Sequence, residues 1–237
     1  VTPLPRGKRR FRQAAVEALP AGYRIALDGK PLMTPAGAPL QAASQALAEA
    51  VAAEWRALGE EIDPARLPLT RLLGSAIDLV GPNRAELVAR TADYAGTDLL
   101  CYRAEAPPGL AERQHAGWQP LLDWAALRFE ARLRVTAGVL AVPQPGDALE
   151  ALRRAVEAYD DLRLTALAAA TATCGSLILG LALAEGRLDA EGAWALSQLD
   201  EIYQSELWGE DAEAARRRAA LKDDIAAAAR FLALLAV

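Results

Sequence analysis

From Leu164 to Ala184 the chain carries 21 residues in succession without a charged side chain, and no other feature limits the fold as tightly. A run of that length has to be surrounded, either by lipid or by other protein. It consists largely of Ala, Thr, Gly and Ser, whose insertion into a bilayer would be marginal. We read it as the central helix of a bundle, and the chain as soluble. The wider composition agrees, because 53% of the residues are hydrophobic but only 5% aromatic. That balance fits long, Ala- and Leu-rich helices with small contact residues. With 237 residues the chain can form one large domain or two small ones, burying roughly 70–75% of its unfolded surface.

The first forty residues are patterned differently. Ala14–Leu19 and Tyr23–Leu27 are short β-capable runs separated by Pro20-Ala21-Gly22, and Asp28-Gly29 marks a tight turn into Pro31–Thr34. Pro35, Gly37 and Pro39 punctuate the chain beyond that turn, so a small antiparallel sheet is expected. Helical stripes then take over. Ser44 caps a helix with Leu47, Val51, Trp55 and Leu58 on one face, ended by Gly59. Leu69, Leu73, Ala76, Ile77 and Val80 form the next stripe, stopped by Gly81-Pro82. Asn83 and Glu86 resemble a capping box for a helix carrying Leu87, Val88, Thr91 and Tyr94, with Gly96 in a left-handed C-terminal position.

Pro107-Pro108 precede a short helix through Leu110 and Gln114, and Pro120 is placed in the first turn of the next, carrying Leu121, Leu122, Ala125 and Phe129. Leu133–Thr136 reads as a short strand. Asp147 and Glu150 cap a helix with Leu149, Leu152, Val156 and Tyr159 on one face. After the uncharged helix, Asp189 opens a helix to about Trp208, Gly209 breaks it, and a last helix carries Leu221, Ile225, Ala228, Leu232 and Leu235. The fold class is therefore α+β: a small N-terminal antiparallel β-rich domain over residues 1–60 and a larger helical bundle domain over residues 61–237. The boundary is placed in Gly59–Pro64, where charge and proline interrupt two stripes.

Several chemistries find little support. A net charge of -5, from 26 basic and 31 acidic residues, gives no positive field for non-specific nucleic-acid binding. The basic residues between Arg6 and Arg12 are followed by no apolar signal core and interleave only with Phe11. His115 is the only histidine, which removes histidine-based metal sites. Cys101 and Cys174 are isolated thiols, read as reduced, buried small hydrophobes. Cys101 with His115 would make a nucleophile–base pair only if the fold joined them, and no third orienting group is apparent. Cys174-Gly175-Ser176 reads as a close approach between helices, since a hydrolase elbow needs a strand before the serine. No catalytic residue, cofactor or metal is expected.

One surface invites a partner. Ser197, Asp200, Glu201, Gln204, Ser205 and Trp208 recur at three- and four-residue steps and so line one helix face, with Glu210 and Asp211 extending its negative charge. Carboxylates neighbouring in one helix seldom converge on one cation. A large aromatic beside them is the composition of a protein-binding patch, against the plainer reading of a solvated face. Arg216-Arg217-Arg218 is explained by intrahelical pairing with Asp211 and Glu213.

The ordered motifs carry a resemblance. Arg10-Phe11, Asp28-Gly29-Lys30-Pro31, Thr34-Pro35, Glu54-Trp55, Pro68-Leu69-Thr70-Arg71, the block Tyr94–Glu105 with Gln114, Trp118 and Pro120–Trp124, and Leu199-Asp200-Glu201 through Glu206-x-Trp208-Gly209 span nearly the whole chain. Together they are similar to the ATP synthase assembly chaperones that bind the alpha subunit of the soluble head, the Atp-twelve family. Cys174 in place of a serine and Lys30 in place of an arginine depart from the family pattern. The resemblance implies a non-enzymatic, monomeric chaperone that shields the alpha subunit until the beta subunit displaces it, without nucleotide. It also adds Glu191, whose family counterpart is an acid, to the partner-binding set of Asp200, Glu201, Gln204, Trp208 and Glu210. Relatives work in the mitochondrial matrix and the bacterial cytoplasm; the lack of a transit-like N-terminus favours the cytoplasm. Rival readings are a small-molecule enzyme using Cys101 or carboxylates, and a constitutive subunit of a stable complex.

Overall fold

The structure, a computed structural model, describes residues 4, 6–138, 141–209 and 211–235. It is α+β, with antiparallel strands near the N-terminus and a larger helical region after them. The strands β1 (Gly7–Lys8), β2 (Ala14–Leu19), β3 (Gly22–Leu27), β4 (Lys30–Pro31) and β5 (Gln41–Ala42) precede α1 (Gln45–Arg56) and β6 (Glu61–Ile62). β2 and β3 pair without interruption, from Ala14 opposite Leu27 to Leu19 opposite Gly22. β4 and β5 both pair with β3, and β1 pairs with β6. The expected turn at Asp28-Gly29 forms with positive φ at both residues, 48° and 76°. The Asp28 carboxylate accepts from the N–H groups of Gln13 (2.8 Å) and Arg12 (3.0 Å), which hold its pKa below the ordinary value.

Leu47, Val51 and Trp55 of α1 are buried, as their spacing predicts, and Ser44 caps the helix by accepting from the Leu47 N–H. From α1, Glu54 reaches the start of α2 (Pro68–Ser75) and accepts from the N–H groups of Leu69 (2.7 Å) and Thr70 (2.9 Å). An anion there satisfies donors that a helix start leaves open. The stripe Leu69, Leu73, Ala76 and Val80 is buried, but the chain does not stop at Gly81-Pro82. It widens into a π-type turn over Ala76–Val80 and runs into α3 (Gly81–Ala92), whose helical backbone is interrupted at Asn83 (φ -125°, ψ 30°), one residue beyond the expected stop. The capping box does not form: Asn83 Nδ2 donates back to the Leu79 carbonyl instead, at 3.2 Å. Gly96 lies in a short 3₁₀ turn, Asp93–Thr97, without a positive φ.

Packing divides the chain into two units. The first comprises the described residues of Val1–Arg84, Asp161–Ala166 and Arg230–Val237; the second comprises those of Ala85–Asp160 and Leu167–Ala229. Gly59–Pro64, the expected boundary, is interior to the first unit, because Glu54 and Trp55 on one side of it bond to Leu69 and Thr70 on the other. In the same unit Ser44 Oγ donates to the Leu234 carbonyl (3.0 Å), Arg163 to that of Leu235 (3.2 Å), and Arg84 to Asp161 (2.6 Å). Contact units and independently folding spans are different properties. Separate folding of residues 1–60 and 61–237 is a proposal for limited proteolysis to decide.

The second unit holds β7 (Tyr102–Arg103), α4 (Pro108–Arg128), β8 (Thr136–Ala137), α5 (Gly146–Glu157), most of α6 (Asp161–Cys174), α7 (Leu177–Ala184), α8 (Ala190–Ser197), α9 (Leu199–Trp208) and most of α10 (Ala212–Leu235). β7 and β8 pair in parallel. Three expectations are corrected here. Pro120 lies inside one continuous α4, so its missing N–H removes a bond without ending the helix. Asp147 does not cap α5, since its carboxylate bonds only the next N–H, and Pro145 holds the cap position. The uncharged run is two helices, divided at Gly175 with φ 66°.

A charge from elsewhere in the chain makes that division. Asp98 is fully buried, and its carboxylate accepts from Ser176 Oγ (2.8 Å), the Ile178 N–H (3.0 Å) and the Leu100 N–H (3.1 Å). Ser176 in turn caps α7 by accepting from the Leu179 N–H at 3.0 Å. Burial raises the Asp98 pKa to about 6 despite these donors, so the group is ionised at neutral pH. Every residue from Leu177 to Leu183 is buried. Among the described residues no helix is long and apolar enough to cross a membrane.

Candidate partner-binding surface

The helix read as continuous from Asp189 to Trp208 bends at Gln198, whose φ of -112° and ψ of 20° separate α8 from α9. Asp189 caps α8 by accepting from the Gly192 N–H at 2.7 Å. The bend fits over α4. Trp118, 1% exposed, donates its indole N–H to the Leu196 carbonyl at 2.9 Å. A Cβ on Gly117 would stand 2.7 Å from Leu196 Cδ2, so a larger residue there would have to push the Leu196 side chain aside. Gln114 is also buried: its amide nitrogen donates to Asp200 Oδ1 (2.8 Å), and its amide oxygen accepts from the Ala104 N–H (2.7 Å). Its carbonyl accepts from Arg103, whose guanidinium lies over the Trp118 ring. The residues that looked most like a recognition signature are thus the fastening between α4, β7 and the α8–α9 bend.

That fastening sorts the six predicted contact residues. Asp200 is half-buried and occupied by Gln114. On the same helix Glu206 pairs with Arg113 at 2.7 Å, and Arg113 lies 5.0 Å from the Tyr203 ring centre. Glu201, Gln204 and Trp208, at steps of three and four, are the outward members of the set, and all three are exposed. Trp208 is 77% exposed, and beside it Leu207 is 54% exposed. Sequence reasoning passed over Leu207, although its position next to Trp208 at a helix end was the available signal. Ser197 leaves the expected stripe: it is buried on α8 and donates to the Trp194 carbonyl. Glu191, in the first turn of α8, pairs with Lys222 of α10 at 2.6 Å, and Lys222 also lies over the Trp194 ring. Glu210 falls outside the described residues.

Other charges are placed differently from expectation. Asp211 caps α10, accepting from the N–H groups of Glu213 and Ala214, and no ion pair joins it or Glu213 to Arg216 or Arg217 among the described residues. Arg218 donates to the Glu201 carbonyl at 3.3 Å. Arg9 spends its guanidinium on the carbonyls of Leu58, Phe11 and Arg12.

The groups weighed for catalysis do not assemble. Cys101 is fully buried, and burial pushes its thiol up to about 12, as it does for Cys174. His115 lies exposed on α4. Neither thiol supplies a thiolate at neutral pH. Among the described residues no three His, Cys, Asp or Glu side chains gather as a metal site.

The chain was compared with known proteins. The family model for the ATP12 chaperone protein matches residues 8–126. The mitochondrial protein atp12 of Schizosaccharomyces pombe is 29% identical over 223 residues, covering 87% of this chain and 75% of that one. The crystal structure of Atp12 from Paracoccus denitrificans superposes with a TM-score of 0.89 at 44% identity, over 96% of this chain and 97% of that one. The crystal structure of a protein from Agrobacterium tumefaciens gives 0.92 at 41% identity, over 97% and 87%.

Proposed function

The chain belongs to the ATP12 chaperone family, which assembles ATP synthase, and from that premise we propose that its client is the unassembled alpha subunit of the soluble head. It acts as a monomer in a bacterial cytoplasm, holding the alpha subunit until the beta subunit binds the same surface more tightly. An unpartnered subunit exposes an apolar interface prone to aggregation, and covering that interface needs no chemistry. Release by exchange needs no nucleotide.

The observation that carries the site assignment is the outward face of α9. Leu207 and Trp208 stand exposed at its end, with Glu201 and Gln204 along the same helix, while Asp200 and Glu206 tie that helix to α4. A rigid helix presenting a large aromatic with a polar rim is the anatomy of a binding hot spot. Glu191 belongs to this surface as its charged margin, and Glu210 is proposed with it on sequence grounds.

The test is refolding of isolated alpha subunit followed by light scattering. This protein should lower the scattering and form a complex on gel filtration, and should do neither with beta subunit or the assembled head. Glu201→Lys and Trp208→Ala should weaken the complex by roughly 1–3 kcal/mol. Full affinity in both variants would move the binding surface elsewhere, and an unchanged scattering curve with the wild-type protein would overturn the client assignment.

A further inference from the structure

The strand β2 is an open edge, and the structure says which of its groups are open. The Asp28 N–H donates to the Gln13 carbonyl at 3.0 Å. In an antiparallel pair the backbone groups then alternate, so those of Ala15, Glu17 and Leu19 face β3 and those of Ala14, Val16 and Ala18 face away from it. Arg56 confirms the alternation, since its Nε donates to the Ala14 carbonyl at 2.8 Å and closes that end of the edge. Val16 and Ala18 find no such partner among the described residues. β3 is paired on both sides, and of the strands at the sheet's edges β2 has six residues while β4 and β5 have two each, so β2 is the long edge.

Exposed edges are ordinarily blunted by proline, lysine, a bulge or an unpaired charge. β2 has none of these. Its register is continuous over six residues, its sequence is Ala-Ala-Val-Glu-Ala-Leu, and its one charge, Glu17, is neutralised by Arg24 across the β2–β3 pair. Lys8, Arg10 and Arg12, immediately N-terminal to the edge, are exposed, and none forms an ion pair among the described residues. Lys8 makes none even with Glu61, its partner in the β1–β6 register.

We propose that β2 is a docking edge for an extended, acidic polypeptide segment. The segment adds a strand through the backbone groups of Val16 and Ala18 and lays its carboxylates along Arg12, Arg10 and Lys8. Main-chain bonds supply affinity in this mode, and the flanking charges supply selectivity. The site is independent of α9.

The probe is a ten-residue peptide of alternating valine and glutamate, with the valine–lysine peptide as its counterpart. Binding is followed by fluorescence anisotropy and by amide hydrogen exchange. The glutamate peptide should bind saturably and slow exchange at Val16 and Ala18, and the lysine peptide should not. Val16→Pro removes an outward N–H and leaves the bonds to β3 in place, so affinity should fall about tenfold. Ala18→Glu, at an exposed side chain, sets a like charge against the peptide's carboxylates and should lower affinity similarly should Val16→Pro fail to fold. Trp208→Ala should bind the peptide as the parent protein does. Unprotected Val16 and Ala18 amides, equal binding of the lysine peptide, or a sedimenting dimer that Val16→Pro dissolves would each overturn the proposal, the last by giving the edge to a second copy.

Discussion

The helical unit contains two kinds of acidic region, and they are put to opposite uses. Asp98 is buried to the last atom, with fixed donors from Leu100, Ser176 and Ile178 on its carboxylate. Glu201 and the end of α9 face solvent, beside an exposed indole. Sequence alone marks both simply as acids. What separates them is whether the fold brings donors that replace water. Where it does, the acid fastens chain segments far apart in sequence; where it does not, the charge stays in solvent. Asp200 lies between the two, half-buried with one amide donor.

The sharpest break of that comparison is Asp98→Asn. An amide would turn an N–H₂ toward a group that already donates, so unfolding free energy should drop by about 3 kcal/mol. Urea denaturation measures it, and a loss under about 1 kcal/mol would show that the buried acid fastens nothing. The pH dependence has a definite sign. Asp98 titrates at about 6 folded, against 3.8 as its ordinary value. Between these values the native state binds the extra proton, so this group's contribution to stability falls as pH rises from about 4 to about 6 and is level above that. The gap between the parent protein and Asp98→Asn should therefore narrow from about pH 4.5 to about pH 6.5. A widening gap would mean that the donors outweigh burial.

Next in size is Gln114→Leu, which strands the Ala104 N–H and frees Asp200. We expect a loss of about 2 kcal/mol in stability, with weaker client binding because α9 loses its anchor. At the exposed end the pattern should reverse. Leu207→Ser should reduce client affinity by about 1–2 kcal/mol with the melting temperature unchanged. Smallest is Glu191→Lys: its ion pair with Lys222 joins exposed side chains, so removing it should alter stability by less than about 1 kcal/mol. Client affinity of that same variant decides whether Glu191 belongs to the surface or only to the α8–α10 pair.

Elements were legible where one stretch of chain decides them. The Asp28-Gly29 turn, the Ser44 cap, the α1 stripe and the buried uncharged run all depend on neighbours a few residues away. The breaks were not. Gly175 ends a helix because Asp98, far off in sequence, meets Ser176, and Gln198 bends the chain because Trp118 and Gly117 lie beneath Leu196. Periodicity sees a stripe and not what lies under it, so Ser197 and Asp200 were grouped with Glu201, Gln204 and Trp208 although the first two face inward. The motif residues Gln114 and Trp118 were recognisable as a signature, and their role as scaffold became visible only through their hydrogen bonds.

The composition of the first unit has a consequence in time. Its sheet, α1 and α2 are synthesised early, yet the same unit includes the segment from Arg230, whose Leu234 and Leu235 carbonyls receive Ser44 and Arg163. Between Arg84 and Arg230 lie 230 − 84 = 146 residue steps of translation, roughly 7–30 s at bacterial and eukaryotic rates. For that interval the nascent sheet exists without the helical segment that completes its unit. A member of an assembly-chaperone family is thus itself unfinished on the ribosome, with the Leu234 and Leu235 carbonyls not yet there to receive Ser44 and Arg163.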